Sequence, residues 1–203
     1  MDHYVLVMHP SDKDLITARV EAKNGKTILF VNIQRGADRL ADNLIKAGVL
    51  VRVLQSGNSQ AVRTRILKLF NEQENEALIA TEVAVRGIHN DGISLVVHID
   101  AQTDHKDYLH HSGRTARAGE ASGVVVLATT KQQTSVKGLT SRAGVTLKFI
   151  GVKPNDAELT TITGAQEPSG ISYVAPITES RGPSRSDGKR PRPNSSQRRR
   201  RPR

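Results

Sequence analysis

Residues 27–54 read TILFVNIQRGADRLADNLIKAGVLVRVL, and two hydrophobic periods follow one another within them. Thr27–Ile33 is a nearly continuous apolar run rich in β-branched residues, as a strand buried on both faces requires. Ala37, Leu40, Ala41, Leu44 and Ile45 then fall at i, i+3, i+4, i+7 and i+8, the apolar stripe of a helix. Gly48 stands where that helix must stop, and Val49–Leu54 begins a second apolar run.

The same alternation extends outward. Further apolar runs lie at Tyr4–Met8, Ala77–Thr81, Leu95–Ile99, Gly123–Ala128 and Leu147–Ile150. A second helical stripe is formed by Val62, Ile66, Leu69 and Phe70, with Ser59 placed to cap it. Strands alternating with helices across short connections predict an α/β domain over residues 1–150, with a mostly parallel sheet covered by helices. Ligands bind beyond the carboxyl ends of such strands, so the loops after Ile33, Leu54, Thr81 and Ile99 are where chemistry is expected.

Composition narrows the classes. The 203 residues carry a formal charge of +10 and contain no cysteine, which excludes disulfide scaffolds, thiol catalysis, zinc fingers and iron–sulfur ligation. No apolar run approaches the roughly 18 residues of a membrane span. The start MDHYVLVMHP lacks the basic region and cleavage site of a signal peptide, so a soluble, cytoplasmic chain is expected. Residues 1–180 hold 20 Lys+Arg against 19 Asp+Glu, whereas residues 181–203 hold 10 against one. That last segment has no apolar residue to seed a core and contains Pro183, Pro191, Pro193 and Pro202. It reads as a disordered basic arm suited to phosphate backbones, or simply as a solubilising tail. Residues 151–180 mix Pro, Gly, Ser and Thr without a clear period and read as a linker of low order, with room for a short helical turn near Asp156–Ile162.

Three short stretches offer chemistry. Tyr108–Gly119, YLHHSGRTARAG, sets Arg114 and Arg117 three apart, on one face if helical, just after Gly113. Two guanidiniums so spaced can grip a phosphate with forked, charge-assisted bonds; a solvated helix face would look the same. Ala80–His89, ATEVAVRGIH, places Thr81, Glu82, Arg86 and Gly87 at the exit of a buried strand. Ser56–Arg63, SGNSQAVR, runs a Gly-containing loop into a helix amino terminus, a setting that attracts anions in any α/β protein. Two other signals are set aside. Gly25-Lys26-Thr27 leads into a strand, and Val20 stands where a phosphate-binding loop needs Gly, so it is read as a turn. His105, His110 and His111 lack the partners of a metal site, and no metal is expected there.

In combination and order, ILFVNI, SQAVR, ATEVAVRGIH and DYLHHSGRTARAG resemble the second, C-terminal RecA-like domain of DEAD-box ATP-dependent RNA helicases. The resemblance covers about residues 1–150 and is most specific at HxxGRxxRxG. It implies a RecA-like three-layer α/β/α fold. It also implies that Arg114 and Arg117 are arginine fingers for the γ-phosphate of ATP, with Glu82 and His89 on the nucleotide side. Asn32, Gln34, Gly57, Gln60, Arg63, Thr81 and Gly87 would touch RNA backbone, which carries no base identity. ATP and Mg2+ would be held mainly by an N-terminal RecA-like domain acting as partner.

The sequence departs from the family pattern at three places: His89 replaces the Asp of RGxD, His111 the first Arg of HRxGR, and Gln55-Ser56 a His-Gly pair. Neither GxxxxGK[ST] nor DEAD occurs in the 203 residues, so no ATP turnover is expected from the chain alone. The leading reading is the C-terminal half of an RNA helicase. The alternative is a catalytically inactive RNA-binding or annealing module.

Overall fold

All seven apolar runs form strands in the computed structural model, which describes residues 2–81, 92–102, 104–115 and 123–172. They are β1 (Asp2–Met8), β2 (Lys26–Val31), β3 (Val51–Leu54), β4 (Ala77–Thr81), β5 (Ile93–His98), β6 (Gly123–Thr129) and β7 (Lys148–Gly151). One sheet orders them β3-β4-β2-β5-β6-β1-β7, with parallel register at each pairing among the described residues. β4 is buried throughout and β2 from Thr27 onward, whereas the edge strands β3 and β7 are only partly covered. The continuous apolar runs are therefore the central strands, and the runs interrupted by Arg52 or Lys148 are the edges.

Among the described residues six α-helices cover the sheet: α1 (Lys13–Glu21), α2 (Gln34–Ala47), α3 (Gln60–Glu72), α4 (His105–Ser112), α5 (Gln133–Ala143) and α6 (Ala157–Thr163). Side-chain alternation along each strand divides the core into two clusters. Leu29 and Val31 of β2 join α1, α2 and α6 on one face. Ile28 and Phe30 join α3, α4 and α5 on the other. This is the three-layer α/β/α arrangement of a RecA-like domain. Gly48 closes α2 at φ 85°, a left-handed conformation that only glycine adopts cheaply. Gly25 takes φ 93° at the GKT turn, where a Cβ would fall 2.8 Å from Ser94 Oγ. No helix among the described residues is long and apolar enough to cross a membrane.

The segment from 151 differs from the expected linker. Val152 N donates to Val7 O at 2.9 Å, extending the β7 edge pairing. Val152, Leu159 and Ala165 are buried, and α6 occupies the place of the anticipated turn. The chain then runs back along α1 and α2: Gln166 N donates to Arg19 O at 2.9 Å, Arg19 pairs with Glu167 at 2.8 Å, and Gly170 N donates to Ala47 O at 3.0 Å. Residues 151–172 thus belong to the folded body. Isolated apolar anchors hold them, and such anchors leave no period in the sequence. Residues 173–203, including the basic arm, lie outside the described residues.

Candidate functional site

The loops at the carboxyl ends of β2 and β3 are tied to each other. Asn32, Ile33 and Gln34 are exposed where β2 gives way to α2. Asn32 N donates to Asp100 Oδ2 at 3.3 Å and Asn32 Nδ2 to Ala101 O at 3.4 Å, so the residues after β5 hold this loop. Lys13 Nζ meets the other oxygen of Asp100 at 3.4 Å. Gln34 Nε2 donates to Ser56 Oγ at 2.8 Å, across to the loop after β3. There Gln55 N donates to Asn58 Oδ1 at 2.6 Å and Asn58 N returns to Gln55 O at 3.1 Å, closing a turn around Ser56 and Gly57. The Gln55 amide donates to Asp38 Oδ1 at 2.6 Å. The Gln55-Ser56 pair is therefore what binds this loop to α2.

Gly57 is exposed, and nothing lies within 4 Å of where its Cβ would be. That open space leaves room for another backbone to approach. Ser59 caps α3 by accepting from Val62 N at 3.3 Å, as its sequence position predicts. Gln60 is exposed in the first turn, and Arg63 is half-buried beside it.

Thr81 lies elsewhere in character. It ends β4 opposite Val31, is 6% exposed, and its hydroxyl has no hydrogen-bond partner among the described residues. It is a wall of the site and not part of its surface. Glu82, Arg86, Gly87, His89 and Arg117 lie outside the described residues.

Arg114 stands beyond the end of α4. The helix closes with Gly113 N donating to Leu109 O at 2.9 Å and Arg114 N to His111 O at 3.0 Å. A shared helical face of Arg114 and Arg117 therefore does not begin inside α4, which ends at Ser112. Gly113 itself has φ −64°, an ordinary helical value, so no unusual backbone angle explains it. The Arg114 guanidinium is half-buried and donates to Nε2 of His110, one turn back.

A stack of rings fixes α4, and the sequence motifs gave no sign of it. His111 is 1% exposed and lies flat on Phe30, centroids 3.7 Å apart and planes 8° from parallel. His98 of β5 stacks beside Phe30 at 5.4 Å and Tyr108 at 5.1 Å. The Tyr108 hydroxyl meets His3 Nδ1 at 2.8 Å. Burial is the largest cause holding the His111 pKa down, at about 4, with the His110 and Arg114 charges adding to it against Asp107. Burial likewise puts His98 well below its ordinary value and raises Tyr108 to about 12. All these rings are neutral at pH 7. A histidine inside the otherwise apolar run Leu95–Ile99, LVVHI, was the one available signal. Phe30 is the next-to-last residue of β2, so the stack brings the exit of α4, and with it Arg114, to the carboxyl end of that strand.

Residues 12–119 match the family of the helicase conserved C-terminal domain. The chain is 33% identical over 159 residues to the ATP-dependent RNA helicase RhlB of Xanthomonas axonopodis pv. citri, covering 76% of this chain and 27% of RhlB. It belongs to the DEAD-box RNA helicase family, as its C-terminal helicase domain. A DEAD-box ATP-dependent RNA helicase 28 of Oryza sativa is 37% identical over 131 residues, covering 64% of this chain and 16% of that protein. The DEAD-box chain described here thus spans about a quarter or less of these relatives' length. The E. coli DEAD-box protein SrmB, solved bound to regulator of ribonuclease activity A, superimposes with TM-score 0.64 at 25% identity, over 83% of this chain and 96% of that one. The C-terminal domain of the DEAD-box protein Dbp5 gives TM-score 0.67 at 23% identity, over 78% and 93% of the two chains, which supports the RecA-like fold.

Proposed function

We propose that this domain supplies Arg114 and Arg117 as arginine fingers to ATP held on an N-terminal RecA-like domain, and binds RNA backbone along the β2–β3 rim. The observation that carries the reading is the Gln34–Ser56 bond of 2.8 Å, which makes one polar surface of two loops. Asn32, Gln34, Gly57 and Gln60 are all exposed along it, and the α4 exit lies at the same end of β2. Side-chain amides and helix-start N–H groups donate to phosphate oxygens without reading bases.

The residues present fit part of an ATP site. Arg114 can donate a forked pair of bonds to phosphate oxygen and neutralise charge there. Mg2+ is assigned mainly to the partner domain on the strength of the resemblance. ATP, when bound, supplies the phosphoryl bond whose hydrolysis drives the cycle. This chain's share is to complete that site on domain closure and to grip RNA on the same movement.

Joining the chain to an ATP-binding RecA-like domain is expected to give RNA-stimulated ATP turnover, while the chain alone gives none. Turnover by the chain alone would overturn the half-site reading. An Arg63→Ala change should weaken binding of all single-stranded RNAs alike; loss confined to one sequence would contradict backbone recognition.

A further inference from the structure

One edge of the folded body is strongly basic. Residues 121–155 hold five Lys+Arg and no Asp or Glu, whereas the rest of residues 1–180 holds 15 against 19. The near-neutral charge of the body therefore conceals a basic edge and a weakly acidic remainder. The stretch builds β6, α5 and β7, and β7 is the outermost strand at the end of the sheet away from β3.

The cations gather on α5. Val136, Leu139 and Thr140 turn one face of this helix to the core, and Thr134, Ser135, Lys137, Gly138, Ser141 and Arg142 are exposed on the other. Lys131, in the turn before the helix, is exposed as well. Lys137 Nζ lies over the Phe149 ring at 5.1 Å, and Arg142 Nε donates to Gly138 O at 3.1 Å, so both side chains lie along the surface. Among the described residues none of these three cations has an acid within ion-pair distance. Lys148 differs, since it sits over Tyr4 and pairs with Asp2 at 3.6 Å. The α5 face thus carries positive charge with no counter-charge of its own, a field that attracts a polyanion.

The rest of the face says which polyanion. Protein partners are gripped by aromatic and aliphatic anchors. The exposed large apolar residues among the described ones, Leu15, Ile33, Leu109 and Ile171, all lie off α5 and β7. Hydroxyls stand in their place, with Gly138, where nothing lies within 4 Å of a Cβ position. Hydroxyl donors and bare backbone suit phosphates, which Lys and Arg neutralise without reading bases. The helix also begins beyond the carboxyl end of β6, two strands from β2, hence about 10 Å across the sheet from the strand that carries the rim residue Asn32.

Resting on the reading of that rim as an RNA surface, we infer that α5 is a second RNA contact, which takes the phosphate backbone of the single strand where it leaves the rim on the β6 side. Lys131 meets the strand first, and Lys137 and Arg142 follow it down the helix.

The test is the amide NMR spectrum of the full chain titrated with a 20-nucleotide oligouridine, beside the same titration of K131Q/K137Q/R142Q. All three side chains are exposed, so the variant should melt with the wild type. Signals of Thr134, Ser135, Gly138 and Ser141 should shift in the wild type and stay in place in the variant. The slope of log affinity against log salt should be shallower by about 2 in the variant, as expected for three lost phosphate contacts on a single strand. Absence of shifts on α5, or shifts there that survive in the variant, would overturn the inference. So would equal shifts from polyglutamate of the same charge, since the face would then take an acidic protein. Gln34 and Gly57 report the rim separately, so failure at α5 with shifts at the rim overturns this inference and leaves the proposed function standing.

Discussion

His111 lies flat against Phe30, ring centroids 3.7 Å apart, so a histidine of the HHSGR stretch serves as a packing contact. The ring is neutral, buried and stacked, and it sits three residues before Arg114. The contact holds the last turn of α4, after which Arg114 follows.

Removing it has a measurable cost. His111→Ala should destabilise the domain by about 3 kcal/mol, through lost stacking and the cavity left behind. His111→Phe keeps the stack and discards a ring nitrogen that has no partner among the described residues, so it should hold or raise stability. Urea unfolding of the two variants separates these outcomes.

The buried histidines make stability fall in acid. His98 and His111 have folded pKa values below the unfolded 6.5, so between pH 6.5 and about 4 the unfolded chain binds more protons. Their contribution is complete above pH 6.5 and is lost as pH falls through that window, at up to about 1.4 kcal/mol per pH unit for each histidine. Denaturant midpoints measured across the window should fall toward acid, and His98→Leu should flatten the slope.

Glu21 acts in the opposite direction. Burial is the leading cause raising its pKa from 4.5 to about 8, over the lowering influence of Lys23 and Thr27. Stability tied to its protonated form is full below pH 4.5 and is lost as pH rises toward 8. Glu21→Gln should therefore stabilise the protein at pH 8 and change little at pH 4.5, as thermal melts at the two values would report.

Two glycines should respond in opposite ways. Gly48→Ala meets both a left-handed φ of 85° and the Ser169 hydroxyl, so a loss of about 2 kcal/mol and release of residues 166–172 are expected. Gly57→Ala has open space around it and should leave stability within about 0.5 kcal/mol while obstructing RNA approach. Melting and RNA-binding curves for the pair test this contrast.

These cases also mark what the sequence carries. Apolar runs revealed every strand among the described residues, because a parallel sheet buries both faces of its inner members. The α2 stripe and Gly48 were equally plain, since helix period and a left-handed cap both leave local signatures. The rim residues Asn32, Gln34, Gly57 and Gln60 were reached through motif order and are brought together on one edge. What stayed hidden is tertiary. Residues 151–172 are held by separate anchors such as Val152 and Leu159, and the ring stack joins His3, Phe30, His98 and His111 across four elements. Arg114 lies beyond the end of α4 at Ser112, and the arginine spacing alone does not show where a helix stops.

The central claim is that Arg114 completes an ATP site on another domain. The direct measurement is ATP turnover, with saturating RNA, by the chain joined to an ATP-binding RecA-like domain, as wild type and as Arg114→Ala. A fall of about 1,000-fold or more, with RNA affinity in the absence of nucleotide unchanged, is the predicted result. Unchanged turnover by the Arg114→Ala protein would contradict the account.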